Sequence, residues 1–443
     1  MDRPLTHRRI LGIALPIVLS NATVPILGAV DTGVIGQLGE AAPIGAVGLG
    51  AVVLSSIYWV FGFLRMGTTG LVAQARGAGD GAETRSLLMR GLMIATAAGL
   101  VFILGQVLIF QAAFAIAPAS DEVEALSRQY LSIRIWGAPA TIAIYALTGW
   151  LIAMERSRGV LYLQVGMNSL NILLDLLFVL KFGWGIEGVA VATLISEWSG
   201  LALGLWLCRD AFRGGDWCNW PKVFDRVKLA NMAAVNGDIL VRSVLLQASF
   251  TAFMFLGAGL GDTTLAANQV LLQFLQITAF ALDGFAFAAE ALVGQAFGQR
   301  KPALLRRASI MCSQWGVAFG VLLSLAFLVG GPWIIDVMTT APEVRLAARD
   351  YLFWIGLTPI LGVASWMLDG IFIGATRTRQ MRNAMLVSVS IYALSLLVLL
   401  PAFGNHGLWA GMMVLFIARA VTLGLRYPAL ERASAQVNPG AAH

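Results

Sequence analysis

Seven carboxylates, Asp31, Asp175, Glu197, Asp238, Asp283, Glu290 and Asp369, fall inside stretches that are otherwise almost wholly apolar. Three arginines, Arg65, Arg242 and Arg419, share those stretches, so pairing one to one would still leave four acids without a cation there. An ionised carboxylate removed from water is costly; such a group takes up a proton, binds a cation or keeps water beside it. The chemistry implied is titration and ion binding. The chain has no G-x-x-x-x-G-K-[ST] phosphate loop, no H-E-x-x-H and no G-x-S-x-G elbow, so it reads as neither an ATPase nor a hydrolase, and not as an enzyme. Cys208, Cys218 and Cys312 have no paired spacing, and His7, His406 and His443 are scattered. Neither a disulfide framework nor a metal site is expected, and no cofactor beyond a coupling ion.

The elements that carry these acids are membrane spans. Of 443 residues, 58% are hydrophobic and 12% charged, and the mean hydropathy is +0.79; soluble domains carry about 25% charge. Apolar windows fall at 10–35, 46–71, 87–113, 127–153, 159–181 and 185–208, then at 229–258, 265–295, 309–336, 347–375, 383–403 and 406–426. Each covers the ~20 residues a bilayer requires. The first is too long for a signal peptide and reads as a retained span. With the N-terminus inside, 22 of the 30 lysines and arginines fall in inner loops, five at outer helix ends and three within spans. That alternation supports twelve spans and cytoplasmic termini, the arrangement of a bacterial-type inner-membrane protein. Placed this way, the net charge of +6 indicates no nucleic-acid partner. The lipid bilayer is the expected partner and the chain is expected to be a monomer. Trp59, Trp136, Trp184, Trp333 and Trp409 lie near span ends, where interfacial tryptophan is common.

The two halves repeat. LGEAAPIGAVGL from Leu38 aligns with LGDTTLAANQVL from Leu260. GLVAQARG from Gly70 aligns with ALVGQAFG from Ala291, and Thr148-Gly149 with Asp369-Gly370. The offset is 221 or 222 residues throughout. The expected fold is therefore an all-α integral membrane protein, twelve helices in two six-helix lobes related by a pseudo-twofold along the membrane normal. Residues 1–208 form the N-lobe, 209–228 a cytoplasmic linker and 229–443 the C-lobe with a short tail.

Several segments carry a family resemblance: LPIVLSNATVPILGAVDTGVIGQLG from Leu15, FLRMGTTGLVAQARGAGD from Phe63, NSLNILLD from Asn168, NGDILVRSVLLQ from Asn236 and LDGFAFAAEALVGQAFG from Leu282. The chain resembles the multidrug and toxic compound extrusion (MATE) family, in particular its DinF-like branch, over essentially its whole length. The resemblance implies a two-lobed antiporter that exports small hydrophobic or cationic drug-like compounds, driven by protons. Sodium coupling and flipping of a lipid-linked precursor are the alternatives; only three intramembrane arginines speak against the flippase. The family's N-lobe coupling site maps to Asp31, Asn171, Asp175 and Thr193, and a helix-bending proline to Pro16. A tyrosine some members carry one turn before the first aspartate is Leu27 here. Asp369 resembles a carboxylate of the sodium-linked branch's C-lobe cation site.

From the residues alone, Asn171 and Asp175 are i, i+4 and share a helix face. Asp31 and Asp175 lie at similar depths, and two acids a few ångströms apart can hold one proton between them. The plain alternative is that each satisfies neighbouring backbone or hydroxyl groups. Pro16 removes a backbone hydrogen bond and kinks its helix, statically or on protonation. Asp238 and Arg242 are also i, i+4 and, with Asp283, read as a structural ion-pair network or as a C-lobe substrate or cation site together with Asp369. The roles of Glu197, Glu290, Arg65 and Arg419 stay open between ion pairs and lobe fasteners.

Overall fold

The computed structural model describes residues 4–36, 41–116, 120–213, 217 and 219–436; the side chains at 29, 31, 32 and 41 lie outside the described set. Among the described residues, twelve helices are long and apolar enough to cross a membrane: α1 (His7–Gly36), α2 (Ala42–Gly77), α3 (Gly81–Ile116), α4 (Asp121–Ala153), α5 (Ser157–Lys181), α6 (Gly185–Leu207), α7 (Arg226–Ala258), α8 (Asp262–Gly298), α9 (Pro302–Met338), α10 (Pro342–Gly374), α11 (Thr378–Phe403) and α12 (Asn405–Ala435). The protein is a multi-pass membrane protein. Most helices extend a few residues beyond their apolar windows, and some are capped there by a polar side chain. Asp80, for example, accepts the Glu83 N–H at 2.8 Å at the start of α3, satisfying one of the open donors of a helix N-terminus.

The chain divides into two compact units. One comprises Met1–Val18, Ala73–Gly79 and Ala230–His443; the other comprises Leu19–Val72 and Asp80–Leu229. Helix α1 thus changes unit two residues after Pro16, where proline removes a rung of the helical ladder.

In the first unit, α8 and α10 cross on small residues. A Cβ on Gly370 would lie 2.5 Å from the Ala286 carbonyl oxygen, and one on Gly374 would lie 2.4 Å from that of Glu290. Only glycine admits so close a backbone approach, the small-residue packing that associates helices without a hydrophobic drive. Away from this seam, Phe253, Phe274, Phe327, Trp409 and Phe416 fill the core. Trp409 corrects one expectation: it is fully buried and donates from Nε1 to Asn268 Oδ1 at 2.9 Å. It anchors in the core, not at the interface, because Asn268 and Asn405, each the other's amide partner, bring an acceptor to its ring nitrogen.

In the second unit, a Cβ on Gly149 would lie 2.4 Å from the Arg65 carbonyl oxygen. Gly149 and Arg65 sit 221 positions before Gly370 and Ala286, so the same crossing recurs. Left-handed backbone recurs at that offset too, at Gly79 (φ 77°) with Arg300 (57°) and at Glu155 (55°) with Thr376 (49°). Each ends a helix in the αL conformation. Thr376 is β-branched and tolerates it poorly; Gln74 Nε2 holds it by donating to its Oγ1 at 2.9 Å and to the Gly374 carbonyl at 3.1 Å.

The described residues of the stretch 209–228 belong to the second unit. Arg90 donates from Nε to the Val223 carbonyl at 2.8 Å and from Nη2 to that of Lys222 at 2.6 Å, and its Nη1 meets Glu83 at 2.7 Å. Lys228 reaches Glu83 at 2.7 Å and Lys222 reaches Asp80 at 3.3 Å.

Candidate functional site

Asp175 is fully buried on α5, with Asn171 one turn before it. Asn171 Nδ2 donates to Asp175 Oδ2 at 3.0 Å and to Thr193 Oγ1 on α6 at 3.4 Å, while Thr193 donates to the Val189 carbonyl at 2.9 Å. The side-chain oxygen of Asn171, Oδ1, is buried without a hydrogen-bond partner. Three of the four expected coupling residues therefore meet. The backbone of Asp31 lies in α1, but its side chain is outside the described residues.

Two features of this site go beyond the sequence reading. Asn168 Nδ2 donates to Thr23 Oγ1 at 2.9 Å and so ties α5 to α1. The signal was present in NSLNILLD, where Asn168, Asn171 and Asp175 fall at i, i+3 and i+7 on one face. Directly after Asp175 the α-helix becomes a π-helix over Leu176–Lys181. π-Turns inside helices are rare and frequent at functional sites, and nothing in the composition of LLFVLK announces one.

The carboxylates on α7 and α10 are neutralised differently from what spacing suggests. Asp238 does not pair with Arg242 on its own helix; it accepts from Arg382 Nη1 at 2.6 Å and from Thr378 at 3.2 Å. Arg242 turns to Asp369, which Arg419 Nη2 also meets at 2.5 Å. Asp283 is half-buried on α8 and engaged in interactions of its own. Glu197 pairs with Arg134 at 2.7 Å beside Gly137, where a Cβ would strike the carboxylate. Counting only the arginines within the apolar windows thus underestimates the available cations. Arg382 lies near the start of α11, and Arg134, which charge placement assigns to an outer helix end, is buried within α4.

Outside the spans, burial alone would raise the Asp80 carboxyl. The Glu83 backbone N–H and the Lys222 ammonium outweigh it and hold Asp80 below the usual carboxylate range.

A twelve-helix bundle with a sequence repeat and buried, hydrogen-bonded carboxylates on its helices is the architecture of a secondary transporter. The chain belongs to the MatE family, which matches it twice, over residues 16–177 and 239–399. It is thus a transporter and not an enzyme, in a family of multidrug and toxic compound efflux transporters. It is 40% identical over 424 residues to DNA damage-inducible protein F of Escherichia coli (strain K12), covering 95% of this chain and 91% of that protein. The fold is shared with an outward-facing multidrug resistance MATE family transporter of the MOP superfamily (TM-score 0.87, 17% identity, 97% of each chain). It is shared equally with the Vibrio cholerae MATE transporter VcmN in its bent form (TM-score 0.87, 19% identity, 97% of each chain).

Proposed function

We propose that the protein is a proton-driven antiporter that exports small hydrophobic compounds from the cytoplasm, working as a monomer in a bacterial inner membrane with both termini inside. Asp31 and Asp175 take up a proton from the outer side. The two lobes then alternate access, and the proton is shed inside. The observation that carries this is Asp175, fully buried with a neutral amide donating to its Oδ2. An amide hydrogen bond orients a carboxylate yet lets it cycle between charged and neutral forms, which a fixed guanidinium contact opposes. Asn171 and Thr193 keep that geometry, and Pro16 supplies α1 with a bending point.

The test is dye efflux from proteoliposomes under an imposed pH gradient. Asp175→Asn and Asp31→Asn are each expected to lower pH-driven efflux about a hundredfold, the scale on which loss of a positioned proton-transfer group acts. Wild-type rates in both variants reject the coupling role. Efflux driven by a sodium gradient alone replaces the proton by sodium as the coupling ion.

A further inference from the structure

The charges around Asp369 do not balance. Arg242 on α7 and Arg419 on α12 both donate through Nη2 to the same oxygen, Asp369 Oδ2. One turn before Arg242, Asp238 is already paired with Arg382 and adds no spare negative charge. Asp369 and Arg242 are the charged groups that act on Arg419. Two guanidiniums therefore face one carboxylate, and both Nε donors are buried without an acceptor. Arginine does not shed its proton in proteins, so the trio cannot neutralise itself that way. An uncompensated buried charge is expensive, and one monovalent anion would close the balance and supply an acceptor.

A second feature points to the kind of anion. Trp366 precedes Asp369 by three residues on α10, and Phe416 precedes Arg419 by three on α12. The two rings pack 5.2 Å apart at 34°, and the Arg419 guanidinium lies 6.0 Å from the Phe416 centroid. An aromatic shelf thus sits one helical turn, about 5 Å, from the cationic pair. Trp366 is half-buried, and Arg242 and Asp369 each keep 9% of their side-chain surface open, so the Trp366 ring and the charges have open edges, while Phe416 is fully buried and backs Trp366 from the core.

We infer that Arg242 and Arg419 form a receiving site for the charged group of an amphiphilic aromatic anion, such as a carboxylate, sulfonate or phosphodiester, whose ring lies against Trp366, itself backed by Phe416. Asp369 is the internal competitor that holds the two guanidiniums in place. That this anion is cargo rests on the efflux reading above. The same geometry disfavours sodium or a cationic head group at Asp369, since either must displace two guanidiniums. A lipid phosphate shares the chemistry of the ligand.

The full chain in nanodiscs of zwitterionic lipid is titrated by calorimetry with naphthalene-2-sulfonate and with 2-naphthylmethylammonium, the same ring system with opposite charge. The sulfonate binds; Arg419→Gln and Arg242→Gln each weaken it about tenfold, and Asp369→Asn tightens it about tenfold, because the competing carboxylate is gone. The ammonium probe gains nothing from Asp369→Asn. Equal affinity for both probes, or weaker sulfonate binding in Asp369→Asn, overturns the inference. If the arginine variants fail to fold, the gain in Asp369→Asn still decides. Competition by phosphatidylglycerol in the nanodisc assigns the site to a lipid head group, and lack of competition to soluble anions; either upholds the guanidinium pair. In pH-energised proteoliposomes, movement of neither probe defeats the efflux reading and leaves the binding result standing. Movement of the ammonium alone defeats the anion inference and leaves efflux intact.

Discussion

Asp175 and Asp369 are both buried acids in a repeated scaffold, yet their surroundings differ. Asp175 receives a neutral amide from its own helix, one turn away. Asp369 receives two guanidiniums from other helices, 127 and 50 residues away in sequence. The positions do not correspond across the repeat: 221 residues separate Asp369 from Thr148 and Asp175 from Leu396. The backbone, by contrast, does correspond, in the helix crossings at Gly149 and Gly370 and in the αL residues Glu155 and Thr376. Duplication conserved what packing demands and left the chemistry free to diverge. One half holds an acid hydrogen-bonded by an amide of its own helix, the other an acid clamped by two guanidiniums.

The largest expected effect breaks the fixed cluster. Asp369→Leu strands two facing guanidiniums and should cost about 3–5 kcal/mol, read as a fall in Tm of the detergent-solubilised protein. Replacing the whole trio by Arg242→Met, Asp369→Leu and Arg419→Met should instead be neutral or stabilising, since removal of a complete buried ionic group is tolerated where loss of one member is not. Equal losses in the two variants would mean that charge is not what the trio contributes.

Next comes the shared backbone. In the first unit, a Cβ on Gly77 would lie 2.1 Å from the Gln295 carbonyl oxygen, and a Cβ on Gly298 would lie 2.1 Å from that of Gln74. These are reciprocal contacts between repeat-equivalent residues. Gly77→Ala and Gly298→Ala should each cost about 1–3 kcal/mol, and by similar amounts. A clear asymmetry in Tm would show that the correspondence of the halves is only approximate here. Asn171→Ala removes one donor from Asp175 and should cost about 1 kcal/mol. If its loss matches that of Asp369→Leu, the contrast between the two acids fails.

The smallest effect concerns pH. Asp80 has a depressed folded-state pKa, so its contribution is present above the unfolded carboxylate value of about 3.9 and fades as pH falls through the lower folded value. The side chain is 42% exposed, so screening holds its share below about 1 kcal/mol. Protease cleavage within 209–228 should stay flat from pH 7 to pH 5 and rise only below about pH 4.

Twelve spans, the repeat and the cluster of Asn171, Asp175 and Thr193 were legible in the sequence: hydropathy, charge alternation and the family motif each act locally or over a fixed offset. The partners of Asp369, Asp238 and Glu197 were not. Arg419, Arg382 and Arg134 reach them from other helices, and spacing along one helix pointed Asp238 to Arg242 instead. Trp409 misled for the same reason, since its place near a span end says nothing about Asn268 beside it.

The assignment of Met1–Val18 and Ala73–Gly79 to the same unit as Ala230–His443 bears on any attempt to split the protein. A chain severed between 208 and 229 yields two polypeptides that are not self-contained, because the N-terminal piece carries away two segments on which the other piece builds. Co-expressed fragments would have to complement one another, each serving as a folding template for its counterpart.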